Sequence, residues 1–353
     1  MVLSKGRETV KVGLVYDPIY LKHDTGQHIE NAQRLEAIIS HLEQTGLKQQ
    51  LIPIKPGAAS VEQLSLVHHK QHISHIQEVA QGGGGWLDAD TVMSADSYEA
   101  ALYAAGGVIK ATDAVINGEV GSAFALVRPP GHHATAERAM GFCLFNNVAI
   151  AARYALAEHK LERIAIIDFD VHHGNGTQAT FYDNPRVLYI STHEYPLYPG
   201  TGSIDETGIG EGKGTTVNIP LPAGSGDAEY LAVFDQIIIP AVKRFRPQLI
   251  LVSAGYDPHW ADGIAMMEVS TTGLAQMVKI IKGLADELCS GHLVFSLEGG
   301  YNTTALASSV KATFEVLLGH TDIEDPLGQS PHRFEVVSIA PLIKSIKQIH
   351  TLA

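Results

Sequence analysis

Along most of the chain, short apolar runs alternate with longer stretches whose apolar residues recur at helical spacing. Val12 to Tyr16 reads as a first strand, followed by a polar loop from His23 to Glu30. The stripe Leu35, Ile38, Ile39 and Leu42 predicts a helix over Asn31 to Gln44 with one buried face. His68, His69, His72 and His75 fall on a further predicted helix; no carboxylate joins them in a tight motif, so they read as a solvated or core face. Gly82 to Gly85, with Trp86, Asp88 and Asp90 after it, reads either as a surface loop or as a mobile rim beside a pocket. Asp96 with Glu99 has capping-box spacing and opens a predicted helix ending near Gly118.

From Ala123 the alternation becomes regular. Strands are expected from Ala123 to Val127, Ile164 to Phe169, Val187 to Ser191, Leu249 to Ser253 and Leu293 to Leu297. Between and after them, helices are expected from Asn147 to His159, Asp227 to Arg246 (Pro240 inside, Pro247 as the stop), Thr272 to Leu288 and Thr303 to Leu318. This order predicts an α/β fold of three layers, a central mostly parallel sheet flanked by helices on both faces. No repeat, low-complexity tract or linker interrupts it. The expected organisation is a single domain over residues 1–353, with a motif-bearing core of about residues 10–320 and a weakly patterned tail of about 321–353 packing on it.

Several predicted strands finish in polar, glycine-marked segments: Arg128-Pro-Pro-Gly-His132-His133, Asp168 to Asn175, Ser253-Ala-Gly-Tyr-Asp257, and Glu298-Gly-Gly-Tyr301. In a parallel sheet these ends lie on one edge, so they converge although they run from residue 128 to residue 301. The densest is Asp168-Phe-Asp170-Val-His172-His173-Gly-Asn175. There Asp170 and His172 lie two apart and point to one side of an extended chain, with Asp168 one pleat deeper.

The bulk numbers narrow the function. With 45% hydrophobic and 18% charged residues, the chain has the composition of a globular protein with a sizeable core. A net charge of −13 and the lack of Lys/Arg runs argue against nucleic acid as a partner. No uncharged apolar stretch reaches membrane-spanning length, and Met1 to Tyr20 lacks the apolar segment of a signal peptide. Two cysteines, Cys143 and Cys289, cannot build a disulfide framework and suit a reducing compartment, so a cytoplasmic location is expected.

Roles follow from the chemistry of the converging groups. Asp170, His172 and Asp257 supply three metal ligands and leave a position open, as catalytic zinc requires. A metal there activates water and polarises a carbonyl. His132 and His133 are the expected general base and acid, held in tautomer and orientation by Asp168 and Asn175. Tyr301 can donate its phenol to a developing oxyanion. The ligand set serves Fe(II) as well as zinc. Metal-assisted hydrolysis of a carbonyl compound is the reading that results.

The segments Arg128 to Ala134, Gly141-Phe-Cys-Leu-Phe-Asn-Asn147, Asp168 to Gly176, Tyr198-Pro-Gly-Thr-Gly202, Ser253 to Asp257 and Leu297 to Tyr301 resemble, in order, the zinc-dependent histone deacetylase family. The spelling with Asn175 and Glu298 is closer to its class II branch and bacterial relatives, including acetylpolyamine amidohydrolases and acetoin-utilisation proteins. The resemblance implies an arginase/deacetylase-like fold and hydrolysis of an N-acetyl amide to amine and acetate. It pairs His132 with Asp168 and His133 with Asn175, assigns the metal to Asp170, His172 and Asp257, and makes Tyr301 the oxyanion donor. It further implies a narrow substrate tunnel at Gly141, Phe142, Tyr198, Ile264 and Gly300, and a structural potassium ion at Asp168, Asp170, His172, Ser191 and Thr192.

The expected substrate is Nε-acetyl-lysine in a protein or peptide, with an acetylpolyamine or other small acetylated amine as the alternative. Ile264 stands where the polyamine-selective class II enzyme has a Glu gatekeeper, which weighs against a polyamine, whereas Asp88, Asp90 and the negative charge still attract cations. His28-Ile-Glu30 stands where the family often has His-Pro-Glu. Relatives range from monomer to tetramer, so a homo-oligomer stays open. Arginase-like chemistry at two manganese ions needs more ligands at the strand ends than Asp257 provides after Gly255, and a non-catalytic acetyl-binding module would lack one of the catalytic groups that are all present here.

Overall fold

The computed structural model describes residues 10–331 and 337–352. Its strands, in chain order, are β1 (Val12–Val15), β2 (Ile52–Ile54), β3 (Gly84–Trp86), β4 (Val92–Ser94), β5 (Ser122–Ala125), β6 (Ile164–Asp168), β7 (Val187–Glu194), β8 (Thr216–Leu221), β9 (Leu249–Ala254) and β10 (Leu293–Leu297). An 8-stranded sheet has the order β2-β1-β5-β10-β9-β6-β7-β8, and every neighbouring pair in it is parallel. Each residue of β5, β6, β9 and β10 is buried, as strands covered on both faces must be.

The helices pack on one another in two groups. Gln33–Gln44, Thr303–Leu318 and Thr271–Leu288 lie side by side, and Ser97–Ile116 packs against Asn147–Glu158. Several helices begin where the site ends, because the residue after a strand-end loop caps them. Asn146 accepts the Ala149 N–H at 3.0 Å, and Ser270 accepts the Gly273 N–H at 3.0 Å. Asn302, next to Tyr301, accepts the Ala305 N–H at 3.1 Å. Such a cap contributes about 1 kcal/mol, and the last one also fixes the turn that carries Tyr301.

The departures from the sequence expectations have local causes. Asp96 makes no capping hydrogen bond; the Ser97 hydroxyl instead accepts the Ser94 N–H at 2.7 Å and pairs with His23 Nδ1 at 2.7 Å. The glycine run is not a plain loop: Gly84, Gly85 and Trp86 pair with Ser94, Met93 and Val92 in an antiparallel hairpin, whose connection carries Asp90. The expected helix from Asp227 to Arg246 carries a π segment, Phe234–Ile238, just before Pro240. Proline lacks the N–H that an α-helix would place there, and the wider turn absorbs the defect. Of the clustered histidines, His68 and His69 precede the helix Lys70–Gln81; His68 and His72 are buried while His69 and His75 are exposed. β8 escapes the sequence pattern because Pro220 interrupts it, which is tolerated because β8 is an edge strand. In the tail, the helix Ala340–His350 buries Ile343 and Ile346.

Candidate active site and metal centre

β5, β10, β9 and β6 are consecutive neighbours in the sheet, and the chain leaving each carboxyl end contributes to one cluster. The expected convergence of distant segments is therefore a property of strand order.

Asp170, His172 and Asp257 are all buried and each offers a ligand atom within 4.8 Å of the others. The backbone holds the carboxylates: Asp170 accepts the His172 N–H at 2.9 Å and the Gly299 N–H at 2.8 Å, and Asp257 accepts the Val171 N–H at 2.9 Å. Asp257 Oδ2 is buried without a hydrogen bond, an orphaned anionic oxygen directed into the same cluster. Two carboxylate oxygens and an imidazole suit a divalent transition metal, so the residues fit the implied ion. Without it, burial and the neighbouring Asp170 push the Asp257 carboxyl up to about 7. The backbones must come very close for this arrangement. A Cβ at Gly255 would collide with the Asp170 carboxylate, and one at Gly299 with those of Asp257 and Asp170.

Beside these ligands, His132 Nδ1 lies 3.2 Å from Asp168 Oδ2, and His133 Nδ1 lies 2.8 Å from Asn175 Oδ1. Tyr189 donates its hydroxyl to Asp168 at 3.0 Å. In each pair Nδ1 faces the partner, and His132 Nε2 lies 3.8 Å from Asp170 Oδ1. The imidazole rings sit 4.0 Å apart, centroid to centroid, yet their surroundings push them in opposite directions. Burial disfavours charge on His132, but Asp170 and Asp168 outweigh it and raise the imidazole to about 10. Burial, with His132 and His172 nearby, holds His133 well below the ordinary histidine range. Those directions hold for the cluster without its ion; a divalent ion on Asp170 and His172 would oppose the charge that Asp170 favours on His132.

A cavity of about 240 Å³ opens onto the cluster. His132, His133, His172 and Tyr301 line its inner part, and Gly141, Phe142, Tyr198 and Ile264 belong to its wall, with Asp90 and Leu197. Gly299 lines it rather than Gly300, whose carbonyl is turned to Arg34 at 2.6 Å. Gly141 and Phe142 are consecutive left-handed residues, with φ of 55° and 68°. That turn directs the Phe142 ring to within 5.9 Å of the Tyr301 ring, edge to face. The hairpin β3–β4 secures it, because Thr91 Oγ1 accepts the Phe142 N–H at 3.1 Å. Burial and the nearby Asp257 hold the Tyr301 phenol well above its ordinary value, so its proton is available for donation.

Ser191, on β7, stands opposite Asp168 in the β6–β7 register. Its hydroxyl pairs with His193 Nδ1 at 2.9 Å, while Thr192 Oγ1 is buried without a partner.

A buried ion-pair network behind the site lies outside the sequence reading. Arg34 donates to Glu30 at 2.9 Å and to the carbonyls of Gly300 and Glu298 at 2.6 and 2.5 Å, with its guanidinium 5.0 Å from the Tyr301 ring centroid. Arg128 donates to Glu30 at 2.5 and 2.8 Å and to the carbonyls of Tyr20 and His23, both at 3.2 Å. The signal available was Glu30 four residues before an arginine that adjoins the apolar stripe, beginning with Leu35, of a predicted helix.

A buried Asp-His-Asp centre at the carboxyl edge of a parallel α/β sheet defines a metal-dependent hydrolase. The Histone deacetylase domain family matches residues 28–317, and the chain belongs to that family. It is 44% identical over 293 residues to a "Probable deacetylase" of Archaeoglobus fulgidus, covering 82% of this chain and 81% of the relative. It is 40% identical over 351 residues to "Histone deacetylase 14, chloroplastic" of Arabidopsis thaliana, covering 94% and 79%. Among solved structures, the HDA15 HD domain superposes with a TM-score of 0.88 at 34% identity, covering 97% of this chain and 95% of that one.

Proposed function

We propose that this deacetylase acts as one domain on N-acetyl amides, most readily Nε-acetyl-lysine in peptides or proteins, and that its resident ion is zinc, with Fe(II) able to replace it. One observation carries the reading: a single cavity of about 240 Å³ is lined by Phe142 and Tyr198 together with the ligand His172, the pair His132 and His133, and Tyr301, which suits an acetylated alkyl chain. Asp170, His172 and Asp257 would hold the ion, which supplies Lewis acidity for activating water and polarising the acetyl carbonyl. The His132–His133 pair takes the proton of the attacking water and returns it to the leaving amine, with Asp168 and Asn175 holding the two Nδ1 atoms. Tyr301 donates its hydroxyl to the oxygen on which charge develops.

Ile264 offers no charge for a distal amine, which favours acetyl-lysine, whereas Asp90 on the wall favours a cationic small acetylated amine as the second reading. The potassium ion expected at Asp168, Asp170, His172, Ser191 and Thr192 is retained as a proposal, supported by the unpartnered Thr192 hydroxyl. Free, buried Cys143 and Cys289 support a cytoplasmic setting, and no helix among the described residues is long and apolar enough to cross a membrane.

The test is steady-state hydrolysis of an acetyl-lysine peptide against acetylputrescine and acetylspermidine, with Tyr301→Phe and a chelator as controls. Peptide turnover lost to chelator and lowered about 100-fold or more in Tyr301→Phe supports the lysine reading. Preference for the polyamines moves the substrate, and turnover of neither overturns the acetyl specificity.

A further inference from the structure

Glu298 follows β10 and is completely buried, yet it is absent from the cavity wall. Burying a carboxylate costs several kcal/mol unless its oxygens are satisfied, and most buried carboxylates are satisfied by a cation. This one is not. Arg34 reaches the carbonyl oxygen of Glu298 rather than its side chain. The carboxylate is instead used on the turn that bears the first histidine: Oε2 accepts the Gly131 N–H at 2.7 Å and the His132 N–H at 3.2 Å. Oε1 accepts the Ser253 hydroxyl at 3.1 Å, which ties the end of β9 to the same group.

The rest of the turn has other anchors, since the His132 carbonyl accepts the N–H groups of Gly176 and Thr177, both at 3.1 Å. The N–H groups of Gly131 and His132 have Glu298 as their acceptor. The His132 ring is thus fixed at two points, its Nδ1 by Asp168 and its backbone by Glu298. We infer that Glu298 is the positioning residue for His132: through two consecutive backbone N–H groups it sets where the imidazole stands relative to the metal ligands. It touches neither substrate nor ion. Reach, and not charge, is the property that matters. A glutamine can accept the same two N–H groups with its carbonyl and donate its amide to Ser253, while an aspartate is one methylene too short to span all three donors.

The inference rests on the deacetylase reading only for its kinetic readout. The experiment compares wild type, Glu298→Gln and Glu298→Asp for kcat and KM on an acetyl-lysine peptide. Metal content and melting temperature are measured in parallel, with ring resonances of ¹⁵N-histidine-labelled, metal-free protein as a third readout. Glu298→Gln should stay within about threefold of wild-type kcat. Glu298→Asp should lose about ten- to a hundredfold in kcat with KM within about twofold, full metal content and shifted His132 ring resonances. Wild-type kcat in Glu298→Asp overturns the proposal. Equal losses in both variants replace reach by charge and overturn it too, as does a loss that tracks missing metal or a collapsed melting transition. If wild type turns over no acetylated amine but the resonances still move only in Glu298→Asp, the positioning role stands and the substrate reading fails.

Discussion

Asp262 holds Tyr301 by its backbone: one carboxylate oxygen accepts the Tyr301 N–H at 2.6 Å and the Asn302 N–H at 2.9 Å. The phenol is left free to face the cavity while the peptide beneath it is pinned. Asp262→Ala removes both bonds at the start of the helix Thr303–Leu318. The expected outcome is a kcat about tenfold or more lower, because small displacements of a reacting group are costly, together with about 1–2 kcal/mol of lost stability. Steady-state kinetics and urea unfolding check the two effects separately.

Removal of the ion should act on stability as well as activity. Asp170 and Asp257 are buried carboxylates, and a ligand that binds only the folded state at about 1,000 times its Kd contributes about 4 kcal/mol. Chelation should therefore abolish turnover and lower the melting temperature by several degrees, and adding zinc or Fe(II) back should restore both. A melting temperature indifferent to chelator would count against the triad as the ion's site.

Acid should weaken the fold earlier than its carboxylates alone would require. His68 is buried, with Nδ1 2.8 Å from the Thr135 carbonyl and Nε2 accepting the Asn146 N–H at 2.9 Å, so the ring is neutral with its proton on Nδ1. Burial and His72 push its pKa down to about 3 from the ordinary 6.5. The folded value is depressed, so the stability is present above pH 6.5 and is lost as pH falls toward 3, up to on the order of 4 kcal/mol. Urea midpoints measured from pH 7 to pH 4 should fall, and His68→Gln, less stable at pH 7, should flatten the slope.

Glu30 serves two arginines and His23 in the interior. Burial opposes its charge, but Arg128, His23 and Arg34 overcome that and hold its carboxyl well below the usual range. Glu30→Gln leaves buried guanidiniums without their counter-ion, and a loss of about 3–5 kcal/mol is expected in equilibrium unfolding. Combining it with Arg128→Met should cost less than the sum of the single changes, which a double-mutant cycle reads directly.

Ile264 on the cavity wall sets the expected preference for an uncharged chain. Ile264→Glu should raise kcat/KM for acetylspermidine relative to an acetyl-lysine peptide by about tenfold, less so at high salt. An unchanged ratio would show that position 264 does not meet the distal part of the substrate.

What the sequence made legible was chemistry attached to strong strands. β6, β9 and β10 are apolar runs followed closely by Asp170, Asp257 and Tyr301, so both the strand and the polar segment after it announce themselves. Resemblance to the deacetylase family supplied the tunnel residues, which composition alone does not mark. The interior supports were hidden for a different reason. Glu298, Asp262 and Glu30 act through backbone N–H groups or through partners up to 167 positions away, as Glu298 does on Gly131, and no local pattern records such pairing. β2 and β8 were missed because proline breaks their propensity, and only their place in the sheet order explains why they remain strands.

Those two prolines have a consequence beyond topology. Pro53 and Pro220 sit in β2 and β8, the outermost strands of the sheet, and each deletes a backbone donor from a rim where another chain could otherwise continue the ladder. The sheet is thereby protected against growing from molecule to molecule. A second copy meeting either rim at these positions would find no backbone donor to pair with, and so no start for the open-ended stacking that leads to insoluble fibres.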